Sequence, residues 1–404
     1  MKTKELENDK MHILAIFKAP APYIDSLFQL WSKYPLIDLT VAYCVKTTDG
    51  ESYYDTSIGK QIRWGKRLLE GYNYFFLTDE FEPVGKSDLK IKNPQIKRYI
   101  RNNKIDVILM ACSYWSPTTW MAIKEAKRKN IPIVTRMTVE AERKRNFALS
   151  IVKKVLVGRY CRHMSAGVYE CRQQKDYLEK YGMDVENLFS APCAVDNDYY
   201  LALADKYDKE ILRREYGIQK DDVVFVSTGV LVPRKRQKDV LFALIELKKE
   251  CIEPYYYIVG DGGDRGNLEK IIMENNLRNV YIMGQLPQGE MSKFLKIADV
   301  YILSSEYDAS PKALNEAMNF SLPIIITKGV GTAEQLLKEG KNGYIYSPGD
   351  TKRLTEIIRT IIKRNDREVM GKMSREIVGK CDYKGIINGW MAALQYALDH
   401  KKGQ

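Results

Sequence analysis

The chain lacks any long apolar run. None of its hydrophobic stretches approaches the roughly 20 residues that span a bilayer. The opening MKTKELENDK is charged where a secretory signal would be apolar. Histidine is scarce: His12, His163 and His400 are the whole supply, which excludes a multi-histidine metal site. The seven cysteines (Cys44, Cys112, Cys161, Cys171, Cys193, Cys251 and Cys381) are odd in number and include no C-x-x-C pair. Reduced thiols in the cytoplasm are therefore expected, rather than a disulfide framework or a zinc site. Acidic residues are outnumbered, 52 against 64 Lys+Arg, for a net charge of +12. Most of that excess falls in the first 200 residues. It suits anionic partners such as phosphates or an anionic membrane surface, and equally a solvated basic exterior. No nucleic-acid recognition motif accompanies it, so no nucleic acid is expected as a partner.

What is present is alternation. A chain of 404 residues is long enough for two cores. Short runs rich in Val, Ile, Tyr and Phe read as strands at 12–17, 38–44, 72–77, 105–110, 131–135 and 165–170. The same grammar returns at 222–229, 255–260, 279–284, 299–304, 323–327 and 343–347. Runs apolar on both faces, separated by helical patterns, predict parallel sheets covered on each side. The expected fold class is α/β, with two Rossmann-like, doubly wound domains. A break between Val195 and Asp222 divides the chain into an N-terminal domain over 1–200 and a C-terminal domain over 201–382. Within that break, LALADKYDKEILRREYG reads as polar helix on a domain edge or bridging domains. Residues 383–404 form a last amphipathic helix, with Ile386, Ile387, Trp390, Met391, Leu394 and Ala397 on one face. It caps its own domain or crosses back to the first.

In such sheets ligands bind beyond the carboxyl ends of the strands. Three second-half loops stand there. GVLVPRKRQK puts Arg234, Lys235 and Arg236 between a strand and a helix, where cations and amides suit a diphosphate. GDGGDRGNL has the spacing G-x-G-x-x-x-G, and the next strand ends without an acid to hold a ribose, so a tight turn is expected in place of dinucleotide binding. SSEYDASPKALNEAMNFSLPIIIT runs strand, loop, helix, turn, strand. Asp308 sits in its loop and Glu316 inside the helix, which is expected to begin near Pro311 with Ser310 as N-cap.

The string DASPKALNEAMNFSLPIIIT resembles the E-G-F-G-x-x-x-x-E-A-M-x-x-G-x-P-V-I segment of family 4 retaining glycosyltransferases of the GT-B fold, bacterial cell-surface polysaccharide and glycolipid type. The resemblance is strong over 222–347 and weak before 190. It implies two domains facing a central cleft, the second holding the sugar nucleotide. By that resemblance Glu316 binds the ribose hydroxyls, Asp308 faces the donor sugar, and the amides of Ala309 and Ser310 approach the diphosphate. Lys235 falls at the family's diphosphate lysine, with Arg234 beside it. Gly229, Gly260, Gly262 and Gly284 fall at strand-end glycines that let the nucleotide lie close, and Met283 belongs to the stretch bordering the base. Asp308, Lys235 and Glu316 are thus the expected catalytic residues. The sequence departs from the family where Asp308 replaces a Glu, where Val230 replaces an arginine that Arg234 or Arg236 could supply, and where KAPAPY (18–23) replaces a glycine-rich loop.

The resemblance also implies no bound metal and no cofactor beyond a UDP- or GDP-sugar co-substrate. The acceptor is then a glycan or lipid-linked molecule on the first domain. The helical stretch 143–163 is basic and apolar enough to rest one face on anionic lipid at the inner face of the cell membrane, or to pack on its own core. A non-catalytic sugar-nucleotide-binding relative, or an epimerase or phosphorylase of the same architecture, is the alternative expectation.

Overall fold

The computed structural model describes residues 10–48, 50, 52–55, 60–63, 67–82, 87–137 and 147–401, with the backbone alone at 53–55, 60–63 and 147–149. The chain divides into two compact units. One is Met1–Pro192 joined by Tyr383–Gln404, and the other is Cys193–Asp382.

The first unit opens with β1 (Met11–Phe17), α1 (Pro22–Trp31), β2 (Ile37–Tyr43), the antiparallel hairpin β3 (Ser52–Asp55) and β4 (Lys60–Arg63), and β5 (Asn73–Phe76). It continues through α2 (Gln95–Asn102), β6 (Val107–Met110), α3 (Pro117–Arg128), β7 (Ile133–Arg136), α4 (Phe147–Cys161), β8 (Ala166–Tyr169), α5 (Arg172–Lys180) and β9 (Leu188–Ser190). The strands form one parallel sheet in the order β5-β2-β1-β6-β7-β8-β9. Its central strand β6 is wholly buried, as a strand covered on both faces must be. Each fully buried aliphatic side chain there contributes about 1.5–3 kcal/mol. The hairpin and β9 were not foreseen from sequence.

The second unit runs α6 (Asn197–Lys206), α7 (Lys209–Glu215), β10 (Val224–Thr228), α8 (Gln237–Lys248), β11 (Tyr255–Val259), α9 (Arg265–Glu274), β12 (Val280–Gly284) and α10 (Gln288–Ile297). It ends with β13 (Val300–Leu303), α11 (Lys312–Asn319), β14 (Ile324–Thr327), α12 (Ala333–Leu336), β15 (Gly343–Tyr346), α13 (Thr351–Ile362) and α14 (Arg367–Gly379). Its sheet is also parallel, in the order β12-β11-β10-β13-β14-β15. An apolar core covers each face, one around Leu314, Met318 and Leu336 and the other around Leu241, Leu244 and Ile358.

The division falls at Pro192–Cys193, ahead of the expected break and of residue 200. The physical reason lies in α6 and α7, whose Tyr200, Ala204 and Leu212 are buried in the second unit's core. The polar stretch expected as one helix is two. Asp196 caps the first through the amide of Tyr199, and Asp208 caps the second through that of Ile211.

The last helix, α15 (Tyr383–Asp399), belongs to the first unit. Ile386, Ile387, Trp390, Leu394 and Ala397 are buried and Met391 half-buried, and the helix packs along β6 to β9. Trp390 lies 5.1 Å from Trp31 and 6.4 Å from Phe28, ring centre to ring centre. Gly389 permits the close approach, since a Cβ there would run into the carbonyl of Ser190.

Candidate active site

The order of the second sheet reverses direction between β10 and β13, the two strands that flank its topological switch. In open parallel sheets that crevice receives the ligand. The loops leaving these strands are tied together. Ser304 Oγ donates to the carbonyl of Lys235 at 2.7 Å, and the amide of Glu306 donates to that of Arg234 at 2.8 Å. Arg234 Nη1 donates to the carbonyl of Tyr307 at 3.1 Å. Lys235 Nζ and Asp308 Oδ2 close the link as an ion pair at 2.5 Å, with side chains 13% and 18% exposed. A short 3₁₀ turn over Pro233–Lys235 delivers the two basic residues.

Asp308 is also fixed from behind. Its amide donates to Gly329 O at 3.0 Å, and its carbonyl accepts from Gly331 N at 2.8 Å. Next along the chain, the amides of Ala309 and Ser310 donate to no group among the described residues. They stand just before α11, where unpaired N–H groups and the helix dipole favour an anion. The expected cap is corrected here. The helix starts at Lys312, one residue late, because Pro311 takes the N-cap position in extended conformation and no side chain caps it. Ser310 is half-buried outside the helix and does not cap it.

Arg236 is likewise corrected as a stand-in for the arginine absent at Val230. It adopts a left-handed conformation (φ 51°) and turns its guanidinium to the buried Asp239, Nε to Oδ2 at 2.7 Å. Asp239 in turn accepts from the amide of Gly349. Arg236 therefore anchors the loop, while Arg234 stays exposed beside Lys235.

The strand-end glycines pack on one another. A Cβ on Gly260 would strike the carbonyl of Gly229, and one on Gly262 that of Leu231. Gly229, with φ 128°, has open space around its Cα, and its amide donates to Val259 O at 2.9 Å. Gly284 forms a bridge to Gly260. The turn GDGGDRGNL links β11 to α9 tightly. Met283 packs partly buried against the sheet's core beside Leu286, and Tyr281 is exposed and stacks on Tyr257 at 5.2 Å.

Glu316 lies one turn into α11. Its Oε1 accepts from the hydroxyl of Tyr200 at 2.8 Å, and the amide of Gln288 donates to that same hydroxyl. Burial raises the Glu316 carboxyl above its ordinary range, and the Tyr200 bond pulls in the other direction. Tyr200 and Gln288 escaped the sequence reading. The only signal for Tyr200 was an aromatic pair in an otherwise polar junction. The rear of α11 holds that junction: Asn315 Nδ2 donates to Cys193 O at 2.8 Å and Asn319 Nδ2 to Asn197 Oδ1 at 2.9 Å.

In the first unit the corresponding switch lies between β1 and β6. A cavity of about 290 Å³ opens there, lined by Phe17, Lys18, Tyr23, Tyr114, Trp115, Arg136, Lys153 and Tyr177 among others. A larger hollow of about 1150 Å³ sits at the N-terminal ends of β7 and β8, the end of the sheet remote from ligand-binding strand termini.

Two parallel, doubly wound Rossmann-like units, the second with a cation and free amides at its switch point, define a GT-B fold. Residues 208–377, within the second unit, match the family described as Glycosyl transferases group 1. Alpha-monoglucosyldiacylglycerol synthase of Acholeplasma laidlawii is 22% identical over 298 residues, covering 69% of this chain and 72% of the relative. N-acetyl-alpha-D-glucosaminyl L-malate synthase of Bacillus anthracis is 26% identical over 205 residues, so the match spans half of each protein. Among solved structures, HepE of Anabaena in complex with UDP superimposes with a TM-score of 0.71 at 17% identity, over 95% of this chain and all of that one. Among the described residues no helix is long and apolar enough to cross a membrane.

Proposed function

We propose that this glycosyltransferase moves a sugar from a UDP- or GDP-sugar to a glycan or lipid-linked acceptor, with retention, in cell-surface polysaccharide or glycolipid synthesis. The observation that carries the reading is the meeting of Lys235, Arg234 and the free amides of Ala309 and Ser310 at the switch point of the second sheet. The solved relative bound to UDP supports a nucleotide donor.

In this reading Glu316 accepts hydrogen bonds from the ribose hydroxyls and Asp308 faces the donor sugar. As the bond from the sugar's C1 to the diphosphate oxygen breaks, negative charge grows on that oxygen. Lys235, Arg234 and the two amides stabilise it without a metal ion. The sugar passes through an oxocarbenium-like state. The acceptor oxygen then bonds C1 from the same face, and the departing phosphate oxygen takes its proton. The aromatic and basic cavity of the first unit suits a polar acceptor.

The test is to incubate the protein with a panel of nucleotide sugars and follow sugar release and transfer. Lys235→Ala and Glu316→Ala should each lower turnover on the order of 10²-fold; unchanged turnover in both would refute the assignment. A second reading, a non-catalytic sugar-nucleotide-binding relative, has one observation in its favour: Asp308 already neutralises Lys235. Binding of a sugar nucleotide with no release or transfer from any panel member would establish it.

The proposal extends to the surface on which the protein works. On α4, Ile151, Val152 and Val155 are exposed beside exposed Lys154 and Arg159, a face suited to anionic lipid on the cytoplasmic side. The basic run from Arg143 to Asn146, and the side chains of 147–149, lie outside the described residues. Co-sedimentation with liposomes should rise with anionic lipid and fall with salt; insensitivity to both would remove the membrane from the account.

A further inference from the structure

Glu316 is held by a residue from another element. Tyr200, on α6, gives its hydroxyl proton to Glu316 Oε1 at 2.8 Å, across a sequence separation of 116. That hydroxyl is in turn the acceptor for Gln288 Nε2, at the first position of α10. Gln288 follows closely on Gly284 and Leu286, the stretch that would border the base. The ring of Tyr200 is buried, so its hydroxyl has little freedom to leave the line. No other hydrogen bond to the Glu316 carboxylate occurs among the described residues, which leaves Oε2 open to solvent or ligand.

We infer that Tyr200, backed by Gln288, is a positioning residue that fixes the Glu316 carboxylate for the nucleotide's ribose and ties it to the base-binding edge. The inference rests on the reading of Glu316 as the ribose acid. A carboxylate on a helix can rotate about three side-chain bonds, and each rotamer it must give up on binding weakens the complex. A bond to Oε1 removes that freedom in advance and leaves Oε2, and the second lone pair of Oε1, for the two ribose hydroxyls. The chain Gln288–Tyr200–Glu316 also polarises itself, since each donor sharpens the next. Among the described residues no hydrogen bond runs from it to Lys235 or Asp308, so the diphosphate end should not sense its loss.

That separation supplies the test. Tyr200→Phe keeps the buried ring and deletes the proton. Binding of UDP, GDP and inorganic pyrophosphate to the full chain is measured by calorimetry. The nucleotide that wild type binds should weaken about tenfold, the weight of one hydrogen bond to a charged group, with pyrophosphate changed by less than about twofold. Gln288→Ala should weaken the same nucleotide by a smaller factor. In the double variant with Glu316→Ala, Tyr200→Phe should add little, because the two act as a unit. The acid limb of nucleotide binding should move to higher pH in Tyr200→Phe, as the bond that opposes burial is gone. KM for the donor should rise more than kcat falls.

Equal weakening of nucleotide and pyrophosphate would make Tyr200 a merely structural residue and overturn the inference. Wild-type affinity in Tyr200→Phe, with Glu316→Ala impaired, would overturn it while sparing the role of Glu316. Wild-type affinity in Glu316→Ala would remove both. Should Tyr200→Phe fold poorly, Gln288→Ala carries the same comparison of nucleotide against pyrophosphate.

Discussion

Replacing Asp308 by Asn separates two effects of one carboxylate. Asp308 sits 2.5 Å from Lys235 Nζ, and each side chain is less than a fifth exposed. A diphosphate that engages Lys235 must share it with this carboxylate. A phosphate oxygen hydrogen-bonded to Nζ would lie about 5–6 Å from Asp308. At an effective dielectric of about 40, between a protein surface and bulk water, a carboxylate at that range opposes one negative charge by roughly 1.5 kcal/mol, or about tenfold in affinity. Asp308→Asn preserves shape and deletes the charge. It should therefore tighten binding of the nucleoside diphosphate about tenfold at low salt, with the gain largely gone near about 1 M salt, where the Debye length is about 3 Å. Transfer should fall in the same variant, since the group facing the donor sugar has lost its strength as an acceptor. Titration calorimetry at two salt concentrations and a turnover assay read both effects. Affinity unchanged or weakened in Asp308→Asn would refute the electrostatic account of the pair.

Other outcomes follow from burial and close contact. Burial holds the Glu316 carboxyl above its ordinary range, so ionising it costs more in the folded protein than in the unfolded chain. Its contribution to stability is present below the unfolded value and is lost as pH rises through the folded one. Glu316→Gln should consequently melt above wild type at neutral pH while binding nucleotide more weakly; a lower melting temperature would contradict this. Wild-type nucleotide binding should also weaken as pH falls through the range in which Glu316 takes up its proton. Gly371, on α14, has no room for a Cβ against the carbonyl of Ser321, so Gly371→Ala should destabilise by about 1–3 kcal/mol in denaturant unfolding. Trp390→Ala should cost about 3–5 kcal/mol, because the ring it removes is 1% exposed and the cavity left among Phe17, Phe28 and Trp31 cannot collapse fully.

The strands were legible because burial on both faces writes itself as unbroken apolar runs, and each foreseen run overlaps a strand. Leu188–Ser190 was not, being three residues long and paired on one side to β8 at the sheet's edge. The hairpin Ser52–Arg63 was hidden by its polar, Gly-containing composition. Candidate loops could be located by the rule that ligands meet strand ends, and within them the roles expected of Lys235, Asp308 and Glu316 came from the resemblance to the family segment. Their partners could not. The Lys235–Asp308 pair spans a separation of 73 and the Tyr200–Glu316 pair 116, and no local pattern encodes which side chains the sheet brings together. The Ser310 cap failed for a local reason: Pro311 in extended conformation occupies the cap position that a serine one residue earlier was expected to fill.

The return of α15 to the first unit makes the second an insertion within it. During synthesis the first sheet emerges early, yet the slot around Trp31, Phe28 and Phe17 stays open until Trp390 leaves the ribosome. At about 5–20 residues per second, that interval is many seconds of exposed aromatic surface. The second unit, continuous from Cys193 to Asp382, can complete its own core before the older one closes. Chains that stop short of the last helix should therefore be recognised by the cell as unfinished, and chaperone capture or proteolysis should fall on the half that was made first.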